Sequence, residues 1–173
     1  MTIEESAWNF NLGEGVDKLT EKGHFREAGI NACDVIHMWI EMVIMQAKRV
    51  EDPHEELKRW LKESNRTGML FSNRKMNDDI KEAVKLRVLG EEEAKLAKRI
   101  LHYRDTEGPG HDPRQRFNLD LISNKEKRRK FDDYINDCRT LWHVLRKKYN
   151  ELHLEVTRRH FPQFYEDEKK MNN

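Results

Sequence analysis

The sequence contains few residues that crosslink or interrupt a chain: two cysteines, four prolines and eight glycines among 173 residues. Cys33 and Cys138 both fall on apolar helical faces, and no second cysteine or histidine stands at the spacing of a zinc site. A disulfide framework and a zinc-binding module are therefore disfavoured. We expect two free, buried thiols that act as small apolar side chains, and neither a metal nor a cofactor.

The chain also lacks an excess of charge of either sign, because 33 Lys and Arg residues nearly cancel 32 Asp and Glu residues. No global positive field draws it to nucleic acid or to an anionic membrane, so nucleic-acid binding would require a local basic patch. The first five residues have neither the basic start nor the apolar run of a signal peptide, and no segment approaches a membrane span. We expect a cytoplasmic protein without membrane contact.

The balance of residue types is typical of amphipathic helices. Hydrophobic residues make up 36% and charged residues 38%, as expected when each helix has one buried stripe and a salt-bridged outer face. A chain of this length builds one core rather than two. We predict an all-α fold, an up-and-down helical bundle of five to seven helices, with one domain over residues 1–160 and a charged, frayed tail over residues 161–173.

The spacing of apolar residues predicts the individual helices. Helices are expected at about residues 6–22, 24–50, from Asp52-Pro53 onward, from about 78 to Gly90, from 91 to about 104, and from 124 to at least 152. Residues 65–77 are expected to form a loop. The segment 105–113 contains two glycines and two prolines, so it cannot be helical throughout.

Most enzyme classes lack their signature in this sequence. There is no phosphate-binding glycine loop, dinucleotide fingerprint, nucleophile elbow or paired Glu-x-x-His motif of a di-metal bundle. His37 and Glu41 are four residues apart and could coordinate a metal, but such a pair is more often a histidine at the edge of the core beside a hydrogen-bonding neighbour. A metal-dependent hydrolase that uses His37, His102 or His143 with nearby carboxylates is the third functional alternative.

The end of the helix at Arg104 is the candidate site. Arg104 follows Ile100 and Leu101 at helical spacing, so its guanidinium is predicted at the rim of the core, where it needs a partner. Asp105 can orient it, and the Gly-Pro-Gly turn can return His111 to the same place. These side chains suit metal-free phosphodiester cleavage, because histidine moves protons near neutral pH and arginine holds a phosphate.

Arg104-Asp105, five further residues and then His111, with a long early helix and a long final helix, resemble the HEPN superfamily of helical domains. The nuclease members of that family carry an arginine, a polar residue and a histidine, with four to six residues between the arginine and the histidine; here there are six. The resemblance implies a symmetric homodimer whose two motifs form one cleft. It also implies metal-independent endoribonuclease activity, in which the ribose 2′-hydroxyl attacks and a cyclic phosphate is left.

The resemblance also implies the role of each residue. His111 would be the general acid or base, Arg104 would hold the phosphate and stabilise the transition state, and Asp105 would orient Arg104. A toxin or phage-defence effector that acts on RNA, with a neutralising or regulatory protein partner, is the expected biological setting.

Other arginine and histidine pairs satisfy the same spacing. Arg49 precedes His54, but Val50 follows the arginine, and Arg146 precedes His153 on a single helix with a lysine after the arginine. Neither pair has the polar residue and the loop. A structural interpretation of the preferred motif stays open, in which Arg104 stabilises a helix C-terminus and His111 lies on a loop surface.

A short basic run follows the motif and could hold the RNA backbone. It consists of Lys125, Lys127, Arg128, Arg129 and Lys130. Such a run at a helix start is more often a solvated face. The rival function is a non-catalytic helical module that binds a protein, a nucleotide or a nucleic acid, with an apolar patch around Met69, Leu70 and Phe71.

Overall fold

Helices form all the regular structure in the described part of this computed structural model, which covers residues 12–55, 58, 59, 62, 75–110 and 114–163. The all-α fold predicted from the sequence is confirmed, since these residues contain no strand. The six helices with defined bounds are α1 (Leu12–Glu21), α2 (Phe25–Glu51), α3 (Met76–Lys85), α4 (Glu91–Thr106), α5 (Arg114–Ser123) and α6 (Lys125–His160).

Two side-chain caps mark helix starts. Asp52 Oδ1 accepts the main-chain N–H groups of His54 and Glu55, each at 3.0 Å, so a helical turn begins where Asp52-Pro53 predicted it. Asn124 Oδ1 likewise accepts hydrogen bonds from the main-chain N–H groups of Glu126 and Lys127 in the first turn of α6. The apolar residues predicted for the helix after Asp52, namely Leu57, Trp60 and Leu61, lie outside the described residues.

The predicted bounds agree with the structure for α2 and for the start of α6, which continues to His160. Other bounds differ from the prediction, and α3 ends at Lys85 rather than at Gly90. α3 begins at Met76, inside the segment predicted as a loop, and α4 continues to Thr106, whose hydroxyl donates to the carbonyl of His102. α5 was not predicted, because only Phe117 and Leu121 are buried while Leu119 and Ile122 are 64% and 68% exposed. Residues 164–173, most of the predicted tail, lie outside the described part.

The chain forms two compact units, residues 1–36 with 98–142 and residues 37–97 with 143–173. α2, α4 and α6 each contribute residues to both units, so the units are not successive stretches of sequence. The prediction of one domain over residues 1–160 stays a prediction.

An aromatic cluster lies at the centre of the first unit. Phe131 of α6 is fully buried and meets Phe25 of α2 and Phe117 of α5 edge to face, with ring centroids 5.7 and 6.1 Å apart. Tyr134, one turn further along α6, stacks on Tyr103 of α4 at 4.8 Å. These contacts hold the end of α4, and therefore Arg104, against α2 and α6.

The described residues of the second unit form an aliphatic core that also contains two buried polar side chains. Trp39 and Tyr149 meet edge to face at its side, with centroids 5.6 Å apart. Gln46 and Asp79 are each 1% exposed. The buried apolar side chains include Ile40, Val43 and Ile44 of α2, Ile80 and Ala83 of α3, and Leu145 and Val156 of α6.

α2 differs from one sequence-based expectation. No segment was expected to approach a membrane span, yet α2, with 27 residues, is long and apolar enough to do so by length and composition. Half of its most apolar window is buried inside the protein.

Candidate functional site

Arg104 lies on the last turn of α4, on the face that Ile100 buries one turn earlier. Its side chain is 28% exposed. Its Nε donates a 2.7 Å hydrogen bond to Asp105 Oδ1, and its Nη1 donates to the Cys33 thiol at 3.6 Å. The guanidinium is therefore held between a carboxylate at the surface and a buried sulfur on α2.

The charge of Arg104 is retained in this setting. Burial opposes the charged form, but the hydrogen bond to Asp105 and the contact with Cys33 outweigh it and raise the pKa of the guanidinium. Burial raises the pKa of the Cys33 thiol to about 11, although Arg104 acts in the opposite direction. Cys33 is thus a neutral thiol near pH 7, which makes it a weak nucleophile.

The turn after α4 folds back onto Arg104. Gly110 N–H donates to the Arg104 carbonyl at 3.0 Å, and Glu107 N–H donates to the Tyr103 carbonyl at 3.1 Å. Close approach requires glycine here, because a Cβ on Gly108 would lie 2.6 Å from the Tyr103 carbonyl oxygen and one on Gly110 would lie 2.8 Å from that of Arg104. The chain is thus closed up to the residue before His111, and His111 itself lies outside the described residues.

The predicted basic run occupies the first two turns of α6, and four of its five members face acidic partners. Each partner is a carboxylate of the first unit. Lys127 pairs with Asp120, Arg128 with Asp132, Arg129 with Asp133 and Lys130 with Glu107. Arg128 also lies over the Phe25 ring, 4.4 Å from its centroid. Lys125 makes no ion pair with any described residue, so the run has less free positive charge than its sequence indicates.

Two hollows lie beside this run. A cavity of about 200 Å³ is bounded by Tyr103 and Phe117, with the Lys127–Asp120 and Lys130–Glu107 pairs also in its lining. A second hollow of about 450 Å³ shares Tyr103 and Lys130 and extends to Tyr134 and the Arg99–Asp137 pair. Arg104 lines neither of them. The described residues thus place an aromatic surface and charged pairs beside the motif rather than around Arg104.

A second group of polar residues lies in the other unit. His37 and Glu41 of α2 and Asp79 of α3 each offer one ligand atom, and these atoms lie within 4.8 Å of one another. His37 Nε2 and Asp79 Oδ2 are 2.7 Å apart. These three residues are the ones that could hold a metal ion among those described. His102 and His143, also considered from the sequence, lie exposed on α4 and α6.

Sequence reasoning missed the partners that come from distant parts of the chain. Cys33 is 71 residues from Arg104, and Asp79 is 42 residues from His37. No local spacing links residues so far apart. The Arg104–Asp105 contact joins neighbours in sequence and was expected. The patch considered around Met69, Leu70 and Phe71 lies outside the described residues.

Comparisons of this chain with protein-family models, with curated proteins and with solved structures give no match.

Proposed function

We propose that this chain is a metal-independent endoribonuclease of the HEPN type, which acts as a cytoplasmic homodimer and serves as a toxin or phage-defence effector. The observation that carries the proposal is the 3.0 Å hydrogen bond from Gly110 N–H to the Arg104 carbonyl. It closes the chain onto the arginine at the residue that precedes His111 in the sequence. An arginine and a histidine separated by such a closed turn are suited to act on one phosphate.

The state of Arg104 supports its proposed role. Its side chain is partly exposed, its charge is retained, and two of its five N–H donors are used by described residues. The remaining donors can bind a phosphodiester and the charge that develops on its oxygens. Asp105 fixes the plane of the guanidinium, which lowers the entropy lost when the phosphate binds.

The reaction requires only proton transfer and charge stabilisation. A general base takes the proton of the ribose 2′-hydroxyl, and that oxygen attacks the adjacent phosphorus. The bond from phosphorus to the 5′ oxygen breaks, and the leaving oxygen receives a proton. The products are a 2′,3′-cyclic phosphate and a 5′-hydroxyl. His111 would perform one proton transfer, and a second copy of the motif in the homodimer would supply the other group.

The rival proposal, a non-catalytic binding module, has a specific observation in its favour. Arg104 is already tied to Asp105 and Cys33, and four of the five basic residues on α6 are ion-paired. In that alternative the motif is a clamp at the end of α4, and positive charge there stabilises the helix C-terminus.

The experiment is cleavage of a mixed RNA pool in EDTA by wild type, His111→Ala, Arg104→Ala and Arg104→Lys. We expect His111→Ala to slow cleavage by about 10² to 10⁴-fold, as for loss of a general acid or base. Arg104→Ala should cost about 10² to 10³-fold. Arg104→Lys should recover only part of that loss, because lysine keeps the charge without the planar donor pair.

Matched controls lie on the same helix. Arg99 is 65% exposed and pairs with Asp137, and His102 is exposed two residues before Arg104. Arg99→Ala and His102→Ala should therefore cleave RNA at the wild-type rate, and circular dichroism should show that every variant is folded. An inert wild type, or equal activity in all five variants, would reject the ribonuclease and support the binding module.

A further inference from the structure

His37, Glu41 and Asp79 form a polar cluster in the second unit that the proposed ribonuclease does not use. His37 and Glu41 are four residues apart on α2, so both project from the same side of that helix. Asp79 lies in the first turn of α3. One ligand atom from each residue can be chosen so that all three lie within 4.8 Å of one another.

The burial of Asp79 favours a cation in this cluster. Its side chain is 1% exposed, and a buried carboxylate is costly unless hydrogen bonds or a cation accompany it; His37 provides one such contact at 2.7 Å. Glu41 adds a second carboxylate to the same cluster. Lys48 of α2 forms an ion pair with Glu82 of α3, so the positive charge of this lysine is balanced by Glu82. One imidazole and two carboxylates thus offer three donor atoms to a single divalent ion.

The donors of His37 and Asp79 are at hydrogen-bond distance and would need to move apart only slightly to hold a metal ion. His37 Nε2 and Asp79 Oδ2 are 2.7 Å apart. Two ligands that bind one zinc ion at about 2.1 Å in tetrahedral geometry lie roughly 3.4 Å apart. The pair would therefore need to open by less than about 1 Å, which side-chain rotation can supply. His37 is 23% exposed and Glu41 is partly exposed, so an ion can reach the cluster from solvent.

We propose that His37, Glu41 and Asp79 bind one divalent transition-metal ion of the zinc(II) class, with solvent completing the coordination. One imidazole and two carboxylates form a donor set that such ions accept, and the imidazole favours them over magnesium and calcium. Three protein ligands leave a position open to water. Because the ligands come from α2 and α3, the ion links two helices of the second unit, and its binding stabilises the folded chain.

The full chain is first treated with EDTA and dialysed. It is then titrated with Zn²⁺ in a calorimeter, and its thermal unfolding is measured with and without the ion. Co²⁺ is a second probe, because its visible absorption reports the coordination geometry. We expect one ion per chain and a higher unfolding temperature with Zn²⁺. Loss of a residue that only supports a metal ligand weakens metal binding by about 10 to 100-fold. His37→Gln and Glu41→Gln each remove a direct ligand, so each should weaken Zn²⁺ binding by more than that and abolish the thermal shift.

The controls separate this site from adventitious binding. Asp79→Asn removes the third ligand but also alters the buried contact between Asp79 and His37, which affects folding. Glu41 is partly exposed, so Glu41→Gln is the deciding variant. Glu82→Gln changes a neighbouring carboxylate on α3, and His102→Ala removes an exposed histidine of the other unit; both should bind Zn²⁺ like wild type. Equal affinity in Glu41→Gln and wild type, binding of Mg²⁺ or Ca²⁺ in preference to Zn²⁺, or no binding at all would overturn the proposal.

Discussion

Tyr134 donates a 2.6 Å hydrogen bond from its buried hydroxyl to the main-chain carbonyl of Gly29. Burial raises the pKa of Tyr134 well above its usual value, so the hydroxyl keeps the proton that it donates. Gly29 also lies against Pro109, the central residue of the turn that precedes His111. One position on α2 therefore contacts both α6 and this turn, and substitutions there test the packing that supports Arg104.

Removing the Tyr134 hydroxyl should weaken the first unit. We expect Tyr134→Phe to lower the free energy of unfolding by about 1 kcal/mol, because it removes the buried hydrogen bond to Gly29 and a weaker contact with the Cys138 thiol. The control is Tyr103→Phe. The Tyr103 ring stacks on Tyr134, but its hydroxyl forms no hydrogen bond with any of the described residues. That variant should change stability by less than about 0.5 kcal/mol in urea denaturation. Equal losses in the two variants would show that the Gly29 contact contributes nothing.

A side chain at Gly29 should strain the turn before His111. A Cβ there would lie 2.7 Å from Pro109 Cγ and 3.1 Å from Phe131 Cε2. Overpacking costs about 1 to 3 kcal/mol, against a helix-propensity gain of about 1 kcal/mol, so we expect Gly29→Ala to be destabilising. Chemical denaturation measures the change. Because Pro109 must shift, the same variant should also reduce RNA cleavage if the chain is the ribonuclease proposed above.

Gly15 provides the matched control for Gly29→Ala. It lies inside α1, and a Cβ added there would meet no atom of another described residue within 4 Å. Gly15→Ala should therefore stabilise the protein by about 0.5 to 1 kcal/mol, since only helix propensity changes. Similar gains in both alanine variants would contradict the close contact between Gly29 and Pro109.

Much of the fold was predictable because the signals are local. Asp52-Pro53 marks a helix start through its own capping hydrogen bonds, and the stripe along α2 recurs within single turns. α5 was missed because its apolar residues do not form one face: Phe117 is buried while Leu119 is exposed. Its burial depends on contacts with Phe131 across the first unit, which no local pattern contains.

The candidate site was predictable only where its contacts are between neighbours. The position of Arg104 at the rim of the core follows from its spacing to Ile100, and Asp105 is the next residue. The Cys33 contact depends on how α2 packs against α4, so no spacing in the sequence indicates it. The same holds for the acidic partners of the basic run. Asp132 is one helical turn from Arg128, so their contact is predictable from spacing, whereas Glu107 is 23 residues from Lys130 and is not.

The buried Cys33 thiol should make stability depend on alkaline pH. Its pKa is raised from 9.0 to about 11 by burial, so the folded state retains a proton that the unfolded state loses between these values. The free energy of unfolding is therefore unaffected by this group below pH 9 and falls as the pH rises from about 9 to 11, by at most about 3 kcal/mol.

Cys33→Ala removes this titration and provides the comparison. Urea denaturation at pH 7, 9 and 10.5 should show wild type losing stability faster than the variant above pH 9, so that the difference between them shrinks or reverses. Tyr134 and Cys138 also have raised pKa values; burial is the largest cause and is kept in the variant, whereas the smaller contribution of Cys33 to each is lost with it. A difference that stays constant across this range would contradict a neutral, buried Cys33.

The Lys130–Glu107 pair gives the sharpest test of RNA binding by α6. Lys130 donates to Glu107 at 2.7 Å, and this hydrogen bond together with the lysine's charge lowers the pKa of Glu107. Glu107→Gln should free Lys130 for a phosphate, tightening binding of 2′-O-methyl RNA, which cannot be cleaved, and steepening the salt dependence by about 0.7 per new contact. Glu151→Gln, which removes the partner of Lys147 outside the run, makes the same charge change as a control. Equal affinity gains in both variants would mean that net charge alone acts and that the basic run is a solvated face.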